Sequence, residues 1–365
     1  MAYFVASEDY EPKRVPVEKL THIIFSFSNV IDGLMQFRSP EESGQKLKQL
    51  VAQKSRNPEL QVMIACGGWG ADGFSDMAST AENRIAFVES TIDFIETYQL
   101  DGVDIDWEYP AIPAAGTGAR DEDKENFTLL MKELREALDK LDRQQTLTFA
   151  SAGWKRYYKN IETLDVMKYA DYMNVMTYDQ VGATSPFTAH HTALGFITEQ
   201  DMSDSLVGYM ESRKEEMAKR GYEWEPRSVE KIIDFILDKG VKPEQLVVGA
   251  AFYGRAWKGV HPSDNGLYQP NGGSHIGWVS YDHIRRDFES DANYQRYWDE
   301  VAKAPFLYNA ADSIFVSYDD TVSVRLKTKY AMNKSLGGIM FWELGNDTKE
   351  GRSLLDAIYN ASIKN

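Results

Sequence analysis

The chain has 365 residues, 43% of them hydrophobic, which is enough to bury a large core and places it between one big α/β domain and two ordinary ones. A formal net charge of -16 disfavours long-range attraction to nucleic-acid phosphates or anionic lipid, so a neutral ligand suits the surface better. The single cysteine, Cys66, excludes an intramolecular disulfide, and no run of about 18 apolar residues supports a membrane span.

In chain order, Met1 and Ala2 lead into apolar Tyr3, Phe4 and Val5 without the charged region and apolar run of a secretion signal, so the protein is either cytosolic or a mature chain with a start Met added. Eight short runs rich in β-branched or aromatic residues predict strands at 3–6, 22–27, 61–66, 102–106, 146–150, 172–177, 246–251 and 338–342. Their near-continuous apolarity fits strands covered on both faces. Between them, Ile85, Val88, Ile92 and Ile95 fall on one helical face, with Ser79 and Glu82 predicting a capping box before it. Phe127, Leu130, Leu134, Leu138 and Leu141 give a second stripe, and a helix over 229–239 stops at Gly240. Eight strand-helix repeats in this length predict an α/β fold, a (β/α)8 TIM barrel, whose catalytic residues lie at the C-terminal ends of its strands.

Two intervals are too long for simple loops. Residues 180–226 contain a charged helical stretch at 203–219, where Arg213, Lys214, Glu215 and Glu216 read as a solvated face. Residues 256–320 carry mixed aromatic strand and helix patterns and are expected to form an α+β insertion subdomain walling a cleft, leaving 1–255 and 321–365 as the catalytic barrel. Gly116-Thr117-Gly118 lacks the rest of a dinucleotide fingerprint and carries no weight, and neither H-E-x-x-H nor G-x-S-x-G occurs, which removes the commonest zinc protease and serine hydrolase readings; no cofactor is expected. His190 and His191 lack a second ligand set and read as structural, while buried Cys66 reads as a small hydrophobe.

The decisive segment is residues 100–110, LDGVDIDWEYP. Alternation along a strand puts Asp104, Asp106 and Glu108 on one face, with Val103, Ile105 and Trp107 on the other. Three carboxylates at one strand mouth resist ionising together, so at least one is expected to keep its proton near neutral pH, which is what a general acid needs. A hard-cation site is the competing reading of the cluster. Trp107 and Tyr109, flanking it as stacking surfaces, favour the acid.

The segment resembles the D-x-x-D-x-D-x-E signature of glycoside hydrolase family 18, filled by Asp101, Asp104, Asp106 and Glu108, with Trp107, Tyr109 and Pro110 similar to its chitinase branch. Ala65-Cys66-Gly67-Gly68-Trp69, Met176-Thr177-Tyr178-Asp179, Phe252-Tyr253-Gly254-Arg255 and the segment from Gly338 through Trp342 to Glu343 resemble the family's motifs on strands three, six, seven and eight. Ala65 stands where relatives commonly carry a hydroxyl or small residue, so no hydroxyl bond to the acids is expected there. Asp101, of opposite parity, is expected to fix the start of its strand.

The resemblance implies a retaining, substrate-assisted cleavage of β-1,4 bonds between N-acetylglucosamine units, with Glu108 as acid and base. Asp106 would hold the acetamido N–H, Asp104 would share its proton, and Tyr178 would donate to the acetamido oxygen. Trp342 would form the floor and Trp69 a platform, while Tyr253, Arg255, Met176, Asp179 and Tyr109 would line the pocket; Arg255 is equally well read as an ion-pair partner. Chitin or its oligosaccharides are the expected partner, with no nucleic acid, membrane or metal, and a monomer is expected. The alternatives are an endo-β-N-acetylglucosaminidase acting on N-glycans and a non-catalytic chitin-binding lectin. Most such enzymes are secreted, so an extracellular or periplasmic location is expected.

Overall fold

The computed structural model describes residues 1–8, 10–219, 224–349 and 351–363. Eight parallel strands form a closed barrel: β1 (Ala2–Phe4), β2 (His22–Ile31), β3 (Gln61–Gly67), β4 (Gly102–Asp106), β5 (Thr146–Ala152), β6 (Tyr172–Met176), β7 (Leu246–Ala251) and β8 (Gly338–Trp342). Closure is made by β1, which pairs on one side with β2 through Ala2–Ile23, Tyr3–Ile24 and Phe4–Phe25, and on the other with β8 through Ala2–Phe341. Every predicted strand is present, and β2 runs four residues further than its apolar pattern, into an antiparallel hairpin with Leu34–Gln36.

The contacts divide the chain into two compact units. The first, Met1–Val175, Leu237–Val247 and Lys334–Gly345, holds the barrel, with β6 as far as Val175 and β7 as far as Val247. Ile24, Ile64, Val103, Ile105, Phe149, Val175 and Met340 are buried, as strands covered on both faces require. Helices α1 (Pro40–Val51), α2 (Ala81–Tyr98) and α3 (Asp123–Leu138) supply part of that cover. On α3, Phe127, Leu130, Leu134 and Leu138 are all buried, each such side chain contributing about 2 kcal/mol of apolar burial. Leu141 lies beyond the helix end.

Helix α2 departs from its sequence pattern in two ways. Its N-cap is Thr80, whose side chain accepts from the Asn83 N–H, whereas the Ser79 hydroxyl donates to the Asp76 carbonyl. The inward stripe is Arg84, Phe87, Val88, Thr91, Phe94 and Ile95, while Ile85 is 52% exposed. Arg84 takes the inward position because its guanidinium is satisfied there, donating to both Glu133 carboxylate oxygens and to the Ala78 carbonyl, while its stem packs with the apolar residues.

The second unit comprises Met176–Ile236, Val248–Asn333 and Asn346–Asn365. Its centre is a five-stranded antiparallel sheet ordered Ser274–Ser280, Tyr253–Trp257, Ile314–Ser317, Ala304–Asn309, Tyr294–Asp299. Trp257, Phe306, Tyr308 and Phe315 form its core. Helix α4 (Asp204–Lys219) carries the charged run on a solvated face, where Arg213 pairs with Glu216 and Lys214 with Glu211. Helix α5 (Val229–Asp238) buries Val229, Ile232, Ile233 and Ile236, and the chain turns at Gly240 with φ +99°. Helices α6 (Thr321–Asn333) and α7 (Leu354–Ser362) pack on each other. No helix of the described residues is long and apolar enough to cross a membrane.

Candidate active site

Strand β4 bears out the alternation read from the sequence. Val103 and Ile105 are fully buried, and Trp107 stacks on Phe74 at 5.4 Å and meets Phe127 edge-on at 6.0 Å, so this face belongs to the core. Trp107 is therefore packing and not a stacking surface for a ligand. On the other face, Asp104 and Asp106 are fully and almost fully buried, and Glu108, two residues past the strand end, is 9% exposed. Asp101 lies at the opposite end, where it accepts from the Val62 N–H at 2.8 Å and from Lys54 Nζ at 2.7 Å, tying β3 to β4.

Asp104 is held by side chains of three other strands. The Tyr3 hydroxyl donates to Oδ2 at 2.8 Å, while the Thr148 hydroxyl and the Asn174 amide donate to Oδ1 at 2.5 and 3.1 Å. Burial pushes the Asp104 carboxyl above its ordinary range, and these three bonds only partly oppose it. Asp106 is raised further by burial, then by the charges of Glu108 and Asp104, and its Oδ1 has no hydrogen-bond partner among the described residues. A buried carboxyl oxygen without a donor is costly to keep in a folded protein. Asp106 is thus poised to accept a hydrogen bond from a ligand.

The raised acids carry a stability consequence whose sign is fixed. In the unfolded chain both carboxyls ionise near pH 4, whereas the folded chain keeps its protons to higher pH. Their stabilising contribution is complete below the unfolded value and is lost as pH rises through the folded one. Asp106→Asn is expected to shrink the loss of stability between pH 4 and pH 7, measured by denaturant unfolding. An unaltered difference would show that Asp106 titrates normally.

The glycine pair ending β3 exists to let this strand mouth form. Gly67 has φ +124° and Gly68 φ +94°, and a Cβ on Gly67 would lie 2.0 Å from the Asp106 carbonyl oxygen, which also accepts from the Gly68 N–H at 2.9 Å. Gly67→Ala is expected to destabilise the protein by on the order of 3 kcal/mol, read as a lowered denaturation midpoint; a wild-type midpoint would show that the backbone can yield there.

Aromatic rings surround the acids within the first unit. Trp342 stacks on Phe27 at 5.4 Å and lies 5.8 Å from Tyr3, the residue bonded to Asp104. Trp69 is 67% exposed and meets Tyr109 at 6.4 Å. Tyr109 also packs edge-on against Trp154 and Tyr157, neither of which the sequence pattern singled out. The buried Tyr157 hydroxyl is pushed up by burial and then by Tyr158, Asp106 and Glu108. Cys66 is buried, its thiol pushed up to about 12 by burial, so it is packing.

The remaining predicted residues belong to the second unit. Met176 ends β6 half-buried, and Tyr178 is buried, edge-on to Tyr253 at 6.0 Å. Asp179, at φ +55°, accepts on Oδ1 from the Tyr253 hydroxyl at 2.7 Å and from Arg255 at 2.6 and 3.0 Å. Burial raises its carboxyl, but nearby His191, the Arg255 charge and the Tyr253 hydroxyl outweigh it and hold the group at about 2. His191 is buried 3.8 Å from Asp179, a contact invisible in the sequence, while His190 pairs with Asp299 at 3.1 Å. Among the described residues no group of three or more His, Cys, Asp or Glu is placed to hold a metal ion.

The sequence model of glycosyl hydrolases family 18 matches residues 1–347, a span that holds the acids of β4, the Gly-Gly turn beside them and the tryptophan ending β8. The chain belongs to glycosyl hydrolase family 18. It is 39% identical over 316 residues to chitinase A1 of Niallia circulans, covering 82% of this chain but 42% of that protein. It is 30% identical over 406 residues to chitinase B of Serratia marcescens, covering 94% of this chain and 77% of that one. Among solved structures, a family 18 N-acetylglucosaminidase from Paenibacillus barengoltzii superposes with a TM-score of 0.84 at 36% identity, over 99% of this chain and 98% of that one. The family and the (β/α)8 barrel agree with the reading of the sequence.

Proposed function

We propose that this family 18 protein is a chitinase that cleaves β-1,4 bonds between N-acetylglucosamine units with retention, the substrate's own acetamido group acting as nucleophile. The observation that carries the reading is the unpartnered, buried Oδ1 of Asp106, with Asp104 before it on β4 and Glu108 just past the strand end. In this reading Glu108 protonates the glycosidic oxygen, the acetamido oxygen attacks the anomeric carbon, and Glu108 then takes a proton from the water that opens the oxazolinium ion. Asp106 accepts the acetamido N–H and balances the positive charge that develops on it. Asp104, fixed by Tyr3, Thr148 and Asn174, holds the proton that it shares with Asp106.

Trp342 is assigned the floor beneath the reacting sugar, Trp69 and Tyr109 the leaving-group side, and Tyr178 a hydrogen bond to the acetamido oxygen. Asp179, Tyr253, Arg255 and Met176 are assigned to sugar hydroxyl and acetamido contacts, with 256–320 as an insertion subdomain. Action outside the cell suits an insoluble polymer. Matching chitinases by name support chitin as substrate, and the N-acetylglucosaminidase match over nearly its full length favours a second reading, removal of single sugars from a chain end.

The test is incubation with chitin oligosaccharides of defined length beside an N-glycan, with products read by mass. Release of short N-acetylglucosamine oligomers supports the chitinase, single sugars alone support the second reading, and N-glycan cleavage alone overturns both. An NMR time course is expected to show the β-anomer first. The α-anomer first would rule out the oxazolinium route.

A further inference from the structure

We propose that the second unit holds a binding site for a small, uncharged aromatic alcohol or phenol, in a cavity beside helix α4. Every residue that lines the cavity belongs to that unit, and the proposal goes beyond the chitinase reading without resting on it.

The cavity has a volume of about 340 Å3. Helix α4 gives its wall Leu206, Tyr209 and Met210, which cluster with Phe187 and Met202 and with the ring of Tyr268. Interiors seldom keep a void larger than a water molecule, whereas small-molecule sites fall in this range of size and are mostly apolar with a few placed polar groups. Three of the polar side chains in the wall are already taken. Gln180 donates to the Thr177 and Ala193 carbonyls and accepts from the Ala193 N–H, the Thr188 hydroxyl donates to the Gly266 carbonyl, and the Ser185 hydroxyl donates to the Phe187 carbonyl.

Two lining residues are different. Tyr268 and His190 are each 4% exposed, and their rings meet edge-on at 6.0 Å. The Tyr268 hydroxyl and His190 Nδ1 are both buried without a hydrogen-bond partner among the described residues. Leaving such groups unmatched is costly, so a pair of them in the wall of one cavity marks where an occupant would bond. Burial pushes the Tyr268 hydroxyl up, which keeps it a donor. His190 Nε2 lies 3.1 Å from the Asp299 carboxylate, and a neutral ring that donates there presents Nδ1 as an acceptor. One ligand O–H answers both, accepting from Tyr268 and donating to His190.

The rest of the ligand follows from the walls. A sugar is excluded, because a hydroxyl on nearly every carbon would be buried against apolar side chains. Anions are disfavoured by the net charge of -16, and the Arg213 guanidinium in the lining pairs with Glu216 at 2.8 Å. Phe187, Tyr209 and two methionines favour an aromatic body, since thioethers adapt to ring edges. An apolar cavity of about 150 Å3 holds benzene, so this one takes roughly twice as many atoms, about ten to fourteen without hydrogens.

The experiment titrates the full chain with 2-naphthol and with naphthalene, following ligand fluorescence. We expect 2-naphthol to bind with a Kd of about 10 to 100 µM and naphthalene about tenfold more weakly. Tyr268→Phe should weaken 2-naphthol about tenfold and leave naphthalene unchanged, and Met210→Trp, which fills the space, should abolish binding of both. Because Tyr268→Phe removes only an unmatched hydroxyl, its denaturation midpoint without ligand should not fall; a lower midpoint would show that the hydroxyl is already bonded and overturn the site. No binding of 2-naphthol, equal affinity for the two probes, or binding that survives Met210→Trp would each overturn it as well. Displacement of 2-naphthol by N-acetylglucosamine hexamer, measured on Glu108→Gln, would assign the cavity to sugar and also overturn the proposal, whereas failure of the hexamer to be cut by the wild type would overturn only the chitinase reading.

Discussion

Glu108→Gln is expected to lower turnover of chitin oligosaccharides by a factor of about 100 to 10,000 while the oligosaccharide still binds. That range corresponds to roughly 2.7 to 5.5 kcal/mol of transition-state stabilisation, the usual share of one positioned proton donor. Glutamine keeps the shape of the side chain but has no acidic proton to hand to the departing oxygen. The ground-state fit should survive, because Trp342, Tyr109 and the Asp104 network do not depend on that proton. Loss of binding together with turnover would mean that Glu108 holds the sugar and does not protonate it. Unchanged turnover would remove it from the chemistry.

The second large effect concerns stability. Asp319→Ala is expected to destabilise the protein by roughly 3–5 kcal/mol, read by denaturant unfolding. Asp319 and Lys327 form a fully buried ion pair at 2.6 Å. The same carboxylate accepts from the Thr192 and Ser323 hydroxyls and from the Ala251 N–H, so four donors converge on it. Burial pushes the Lys327 ammonium down while Asp319 opposes that. Removing Asp319 leaves the buried cation without its counter-charge, with the Thr192 hydroxyl still accepting from it, and takes this acceptor from the Ala251 N–H, a far larger cost than losing an exposed pair. Replacing both members, as in Asp319→Leu/Lys327→Met, should destabilise less than Asp319→Ala alone. A single variant no weaker than the double would show that the pair is hydrated or already neutral.

The barrel strands were legible because each is a short apolar run, and the acid face of β4 was legible because strand alternation is strict over Asp104, Asp106 and Glu108. What local pattern could not supply was the set of partners. Tyr3, Thr148 and Asn174 lie 101, 44 and 70 residues from Asp104 and meet it only through barrel closure. The same holds for His191 beside Asp179 and for Trp278 on Tyr253, which join segments by tertiary contact. Helix α2 shows a different limit. Ile85 looks inward on periodicity, yet Arg84 takes the buried place because Glu133, on another helix, satisfies its guanidinium. The cap shifts from Ser79 to Thr80, since either residue type can supply the oxygen and only the backbone angles decide.

Barrel closure by β1 has a consequence for how competence is acquired. Tyr3 sits on the strand that joins the first turn of the sheet to its last, and its hydroxyl is one of the clasps on Asp104. A chain whose opening strand has not docked therefore lacks a third of the hydrogen bonds that steady this carboxyl, however well its other strands are paired. In the proposed reading, docking of the first strand therefore fixes Asp104 as well as closing the barrel.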